Sequence, residues 1–270
     1  MDYKTREVAG LRLFYATEEA QTADLVAEAC VKSLSIVQQH WGLAAPAECR
    51  VYVMTSWQDF LNHAAPWSWR AAMAVARPVW GPRAAALWNV AGGFHQTFGR
   101  RRVIGVKPPR LLAEADRSIG DRIFVRPATR DLEQEVQHVT CHELAHACMA
   151  RLRPPMWLNE GVAMLTVDLY NGAPTIQDDT LEILARGGPV GDSSRYQDLD
   201  VDDSAALSYH AVRSYWLTRF LNEQHPDALR TLLGRPSSRR QVTRLLAQSL
   251  GVSASDVWQQ IDGLVVARYR

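Results

Sequence analysis

The sequence has no marked excess of one charge and no long hydrophobic run. Its 30 basic and 29 acidic residues give a formal net charge of +1, which creates no field that would attract nucleic acid or an anionic membrane. The longest uncharged stretch, residues 84–99, is too short to span a bilayer. No apolar stretch follows the charged amino terminus. These absences predict a protein with no membrane span, no nucleic-acid partner and no secretory signal.

Cysteine is also scarce. Four cysteines in 270 residues do not suggest a disulfide scaffold, so we expect a reducing compartment and a cytoplasmic location. Cys141 and Cys148 lie seven residues apart, on one side of a candidate helix, and are possible soft metal ligands. Packed free thiols are the favoured interpretation, because nearby histidines already supply ligands.

The most informative pattern is the segment His142-Glu143-Leu144-Ala145-His146. Residues four apart lie on one face of a helix, so the two imidazoles can bind one metal ion. Glu143 lies beside His142 around the helix and can reach a water molecule at that metal. Catalytic zinc usually takes three protein ligands and leaves one position open. Glu160, in the segment Trp157-Leu158-Asn159-Glu160-Gly161, is the candidate third ligand.

The surroundings of this segment predict that it is helical. Asp131, followed three residues later by a glutamine, is typical of a helix N-cap. Apolar residues then recur at helical spacing, and Pro154-Pro155 ends the pattern. His138 also lies four residues before His142, but Val139 stands where the general base would be needed. We therefore interpret His138 as partly exposed or in contact with a ligand, not as a ligand itself.

The histidine motif followed by Trp-Leu-Asn-Glu-Gly resembles the gluzincin metallopeptidases, most closely the peptidase MA-like group, over residues 131–170. The resemblance implies a zincin-like α+β fold with one Zn²⁺ ion per chain. It implies His142, His146 and Glu160 as the zinc ligands and Glu143 as the general base.

Outside this segment the resemblance is looser. Residues 122–125 resemble the sheet-edge strand that pairs with an extended substrate in this family. Tyr209 is the first candidate to stabilise the transition state from a later helix, ahead of His210 and Tyr215. Packing or capping of its own helix is an equally open role for Tyr209.

Two features depart from the family pattern. Met164 stands where thermolysin-like members have an aspartate that orients a histidine, and Asp168 is a weaker substitute further along. The Gly-x-Met-Glu-Asn signature of exopeptidases is absent. An endopeptidase is therefore favoured.

Together these patterns predict a zinc-dependent peptidase acting on peptide or protein substrates. Zinc would activate a water molecule, and Glu143 would accept its proton and pass it to the leaving nitrogen. One alternative is a non-catalytic or regulatory zinc-binding domain that acts through protein interaction, which would have no need of Glu143. Another is a helical partner-binding module in which the motif is accidental. The patterns carry no information on oligomeric state or on cleavage specificity.

Along the chain we expect an α/β half, residues 1–152, and a mostly helical half, residues 153–270, with the active-site cleft between them. The prolines of residues 64–83 predict a structured loop, and the tryptophans of residues 57–88 are expected in the core. Aspartates over residues 198–203 are interpreted as a polar loop, because calcium-loop spacing is missing. Strands are predicted at 11–15, 50–54, 85–88, 102–106 and 122–125. Helices are predicted at 18–40, 57–63, 132–149, 161–170, 205–224, 226–234, 238–249 and 254–268.

Overall fold

The computed structural model describes residues 3–125, 129–188, 195 and 203–270. Within these ranges the fold is α+β, with one five-stranded mixed sheet and many helices. The strands are β1 (Lys4–Val8), β2 (Leu11–Tyr15), β3 (Cys49–Val53), β4 (Gly93–Phe98) and β5 (Arg101–Val106). The helices are α1 (Ala20–Trp41), α2 (Trp57–Ala64), α3 (Trp67–Val90), α4 (Pro109–Glu114), α5 (Gly120–Ile123), α6 (Leu132–Met149), α7 (Met156–Asn171), α8 (Leu181–Ala185), α9 (Ser204–Gln224), α10 (Pro226–Gly234), α11 (Arg239–Leu250) and α12 (Val257–Tyr269).

The chain divides into two compact units. The first comprises Met1–Ile36, Ala44–Arg117 and Pro127–Cys148, and the second comprises Val37–Leu43, Ser118–Arg126 and Met149–Arg270. The sheet belongs to the first unit, and helices α7 to α12 belong to the second. In the part of the chain that the structure describes, no helix combines the length and the apolar character that crossing a bilayer requires. The division at residues 152 and 153 stays a prediction.

The sheet of the first unit has the strand order β1-β2-β3-β5-β4. The three central strands are parallel, and β1 and β4 pair antiparallel with β2 and β5 at the two edges. Side chains alternate between the two faces of a strand. Phe98 and Val103 lie in a hydrophobic cluster with Tyr52 on one face, whereas Gly93 of β4 contacts α6 on the opposite face.

Helix α6 begins as its sequence predicts. The Asp131 carboxylate accepts a hydrogen bond from the Gln134 backbone N–H at 3.0 Å, which satisfies one of the free donors of the first turn. Two side-chain bonds join α6 to α1, with Gln21 donating to Glu133 and Gln137 donating to Glu28. The cap therefore fixes the start of α6, and the two side-chain bonds hold the helix against α1.

In the second unit, α7 packs closely against α9 at Gly161. A β-carbon at Gly161 would collide with the Ser214 carbonyl oxygen and the Thr218 hydroxyl, and would lie 2.6 Å from Thr218 Cβ. Any side chain at this position would push the two helices apart. Because Gly161 directly follows Glu160, this contact also fixes the backbone that carries the candidate ligand.

Replacing this glycine should therefore weaken both folding and metal binding. Gly161→Ala is expected to lower the free energy of unfolding by about 1–3 kcal/mol, the usual cost of overpacking, and to weaken metal affinity because Glu160 moves with the helix. Denaturant unfolding and metal titration measure the two effects. Gly263→Ala on α12 is a matched control, since a β-carbon there meets no atom within 4 Å. Wild-type stability and affinity in Gly161→Ala would contradict the prediction.

Several sequence predictions are confirmed. The strands expected at 11–15, 50–54 and 102–106 correspond to β2, β3 and β5, and the carboxy-terminal helices correspond to α9, α10, α11 and α12. Asp198, Asp200 and Asp202 lie outside the described residues. Asp203 is the N-cap of α9, where its carboxylate accepts from two backbone N–H groups at 3.0 Å.

Other predictions are wrong. The expected loop at 64–83 and strand at 85–88 are replaced by helix α3, Trp67–Val90. Trp67 and Trp69 at its start are 83% and 51% exposed, not core residues. The expected edge strand at 122–125 is helix α5 followed by a single bridge from Phe124 to Ile176, so the edge of the sheet next to β5 is β4.

Candidate metal centre

Helix α6 presents His142 and His146 on one face. Their rings are 4.6 Å apart between centroids and nearly perpendicular, and their Nε2 atoms are 3.0 Å apart. Two nitrogens bound at 2.0–2.1 Å to one tetrahedral zinc ion would lie about 3.3 Å apart. The spacing of the two imidazoles therefore suits a shared ion. The predicted pairing of residues 142 and 146 is the one that the helix brings together.

Glu160 completes a group of three possible ligands. One ligand atom from each of His142, His146 and Glu160 lies within 4.8 Å of the others. Such a group could hold a metal ion, and two imidazoles with one carboxylate are a ligand set found in catalytic zinc sites. Among the described residues, His138 is not part of the group. Glu160 itself lies within α7, since that helix begins at Met156 and not after the glutamate.

Glu143 lies against the edge strand of the sheet. Its side chain is 8% exposed, and a β-carbon at Gly93 of β4 would lie 2.8 Å from Glu143 Cγ and 3.1 Å from Glu143 Oε1. The same atom would be 2.6 Å from Val139 Cγ1. The absence of a side chain at Gly93 is what allows Glu143 to occupy this position.

Two of the three predicted transition-state donors, Tyr209 and Tyr215, donate to carboxylates away from the candidate metal group. The hydroxyl of Tyr209 donates to Asp262 at 2.6 Å, and Arg213 donates to the same carboxylate at 2.8 Å. Burial, then the bond to Asp262, raises the pKa of Tyr209. His210 is half-buried, and burial followed by the Arg213 charge lowers its pKa. The catalytic role of Tyr209 stays a prediction, whereas its contact with Asp262 links α9 to α12.

Asp168 has a contact set of its own. One carboxylate oxygen accepts from the backbone N–H of Thr175 at 2.7 Å and from its hydroxyl at 2.6 Å, and the other accepts from Tyr215 at 2.8 Å. Burial raises the pKa of Asp168, and these hydrogen bonds oppose the shift. Asp168 thus holds the chain that follows α7 and fixes Tyr215. The hydroxyl of Tyr215 is engaged in the same way as that of Tyr209.

The cysteines of α6 are buried thiols. All four cysteines are free and buried, and burial raises the pKa of Cys141 and of Cys148 to about 12. A metal binds the thiolate form of cysteine, so these protonated thiols are packing groups. Neither belongs to the candidate metal group.

Sequence reasoning missed the two residues of β4 that lie nearest the motif, Gly93 and His95. His95 places its ring 6.2 Å from that of His146, between centroids. The signal available was the alternation that follows the Gly92-Gly93 pair, in which residues 93, 95 and 97 share one face of a strand. No known motif connects that strand with the helix.

Comparison with protein families finds no match to this chain, and a search of curated proteins finds no similar sequence.

Proposed function

We propose that this protein is a zinc-dependent peptidase of the gluzincin type, with endopeptidase activity favoured. The observation that carries the proposal is the convergence of His142, His146 and Glu160 within 4.8 Å. Its second support is Glu143, which directly follows the first ligand in the sequence. A site that only binds metal has no need of that carboxylate.

The residues of the chain divide the chemistry between them. His142, His146 and Glu160 would hold zinc, which when bound supplies a Lewis acid and an activated water at neutral pH. Glu143 takes a proton from the attacking water and delivers it to the leaving nitrogen. The packing of Glu143 against Gly93 limits the positions its carboxylate can take, which favours proton transfer along one path.

Strand β4 is the candidate peptide-binding edge. Among the described residues it pairs only with β5, which leaves the backbone groups of its outer edge available to an extended substrate. Gly93 brings the start of this strand next to Glu143. We therefore assign to β4 the substrate-pairing role expected for residues 122–125.

The four free thiols favour a reducing, cytoplasmic environment.

Metal removal tests the proposal directly. Purified protein is expected to contain one zinc per chain and to cleave members of a quenched fluorescent peptide library. A chelator should abolish cleavage, and added zinc should restore it. Protein without bound metal would contradict the proposal, as would a metal-loaded protein that cleaves no peptide of the library. The latter result would support the non-catalytic zinc-binding alternative.

A further inference from the structure

His95 lies on the face of β4 that is turned toward helix α6. It pairs with Ile104 of β5, two residues along the strand from Gly93. Because alternate residues share a face, His95 lies on the same side as Gly93, which contacts Val139 and Glu143. Its ring is 6.2 Å from that of His146 between centroids, at an angle of 34°. His95 therefore lies beside the candidate metal centre.

In the part of the chain that the structure describes, one ring nitrogen of His95 lacks a hydrogen-bond partner. A neutral imidazole has one N–H donor and one acceptor nitrogen. The Nε2 atom is buried and has no hydrogen-bond partner among the described residues. A buried polar atom normally has a partner, so this position favours a ligand that supplies one.

The distance to His146 separates the possible roles of His95. With 6.2 Å between centroids, the ring atoms come no closer than about 4 Å, which is beyond a direct hydrogen bond. His95 also lies outside the group of three possible metal ligands. Tyr209 and Tyr215, two of the three candidate donors predicted from the sequence, already donate to Asp262 and Asp168.

We propose that His95 is a further catalytic residue, whose imidazole N–H donates a hydrogen bond to the oxyanion that develops on the scissile carbonyl. The inference rests on the proposed peptidase function. As the water oxygen bonds to the carbonyl carbon, an electron pair moves to the carbonyl oxygen and the water proton passes to Glu143. His95 keeps its own proton, so it acts by electrostatic stabilisation of the charge that forms.

Substitution of His95 provides the kinetic test. His95→Ala is expected to lower kcat about 100- to 1,000-fold, the usual effect of removing one oxyanion donor, with KM nearly unchanged and one zinc per chain retained. His95→Gln, which keeps a donor, should recover part of the loss. His40→Ala is the matched control, since it makes the same change at an exposed histidine of α1. Wild-type kcat in His95→Ala would overturn the inference.

Two further measurements distinguish the donor role of His95 from metal binding by His95 and from a donor role of Tyr209. Loss of zinc from His95→Gln with native circular dichroism would assign His95 to metal binding and overturn the donor role. Tyr209→Phe tests the competing donor in the same kinetic assay. A large loss of kcat in Tyr209→Phe together with normal turnover in His95→Ala would make the tyrosine the donor.

A binding experiment separates this inference from the proposed function. A phosphonate peptide mimics the tetrahedral oxyanion, and its affinity for the zinc-loaded protein can be measured by calorimetry without turnover. We expect about 100-fold weaker phosphonate binding in His95→Ala and unchanged binding of the matching peptide amide. If the wild type cleaves no peptide, the peptidase proposal fails, and phosphonate affinity still reports whether His95 supplies a donor. Equal phosphonate affinity in wild type and His95→Ala overturns the inference alone.

Discussion

Glu143→Gln is expected to abolish peptide hydrolysis while the zinc content stays at one ion per chain. The amide has nearly the same shape as the carboxylate, so its packing against Gly93 should survive. An amide cannot accept the proton of the attacking water at neutral pH, and general base catalysis contributes about 100- to 10,000-fold to the rate. We therefore expect kcat to fall by a factor in that range, or the remaining activity to be too low to detect.

The experiment compares kcat and metal content in the same preparations. Glu133→Gln is the matched control, since it makes the same change on an exposed residue of α6 and should leave both quantities unchanged. If Glu143→Gln hydrolyses peptides at the wild-type rate, another group takes the proton. Loss of zinc in this variant would mean that Glu143 helps to hold the metal.

Glu160→Ala should produce the largest change in metal affinity. It removes one of the three converging ligands and leaves two imidazoles, which is too few for a catalytic zinc site. Loss of a group that only supports a ligand costs about 10- to 100-fold in metal affinity, so removal of the ligand itself should cost at least about 100-fold. Competition with a chelator of known affinity measures the change.

The control for this variant is Asp179→Asn, which removes an exposed carboxylate from the same unit and should keep the wild-type affinity. Circular dichroism of the apo forms checks that Glu160→Ala has folded. Unchanged zinc affinity in a folded Glu160→Ala variant would show that a different residue completes the coordination. Hydrolysis should be lost together with the metal.

The candidate metal group could be proposed from the sequence because the information lies in short stretches. The four-residue spacing of His142 and His146 specifies one helix face, and the Asp131 cap with the apolar spacing fixes the helix around them. Glu160 is the candidate third ligand because catalytic zinc usually takes three protein ligands, and the resemblance of its segment to a known family implies the same residue. Its position inside α7, not ahead of the helix, required the structure.

Long-range pairing explains the strand errors. Residues 122–125 contain an Ile-Phe-Val sequence with strong strand propensity, but among the described residues they join no strand of the sheet and make a single bridge, from Phe124 to Ile176. Strand propensity expresses fit to neighbouring strands more than a backbone preference. The outer partner of β5 is β4. The strand pattern of β4 is weaker in the sequence, because Gly93 and polar residues interrupt its apolar positions.

Helix α3 shows how local rules can mislead. Proline usually interrupts a helix because it lacks an N–H and crowds the preceding turn, so Pro78 and Pro82 predicted a loop. The helix nevertheless runs from Trp67 to Val90. Alanines, which have the highest helix propensity, are frequent on both sides of the two prolines. The balance between these opposing preferences cannot be read from the positions of the prolines alone.

The lack of a side chain at Gly93 affects how activity should be inferred for sequences related to this protein. A related chain could keep His142, His146 and both carboxylates, Glu143 and Glu160, and still lose the proposed hydrolysis through one methyl group at position 93. The added β-carbon would lie 2.8 Å from Glu143 Cγ and would displace that side chain. The motif alone is therefore a poor criterion for the proposed activity in related sequences. Under the proposed function, a residue larger than glycine at position 93 marks a homologue that is expected to bind the metal but not to hydrolyse peptides.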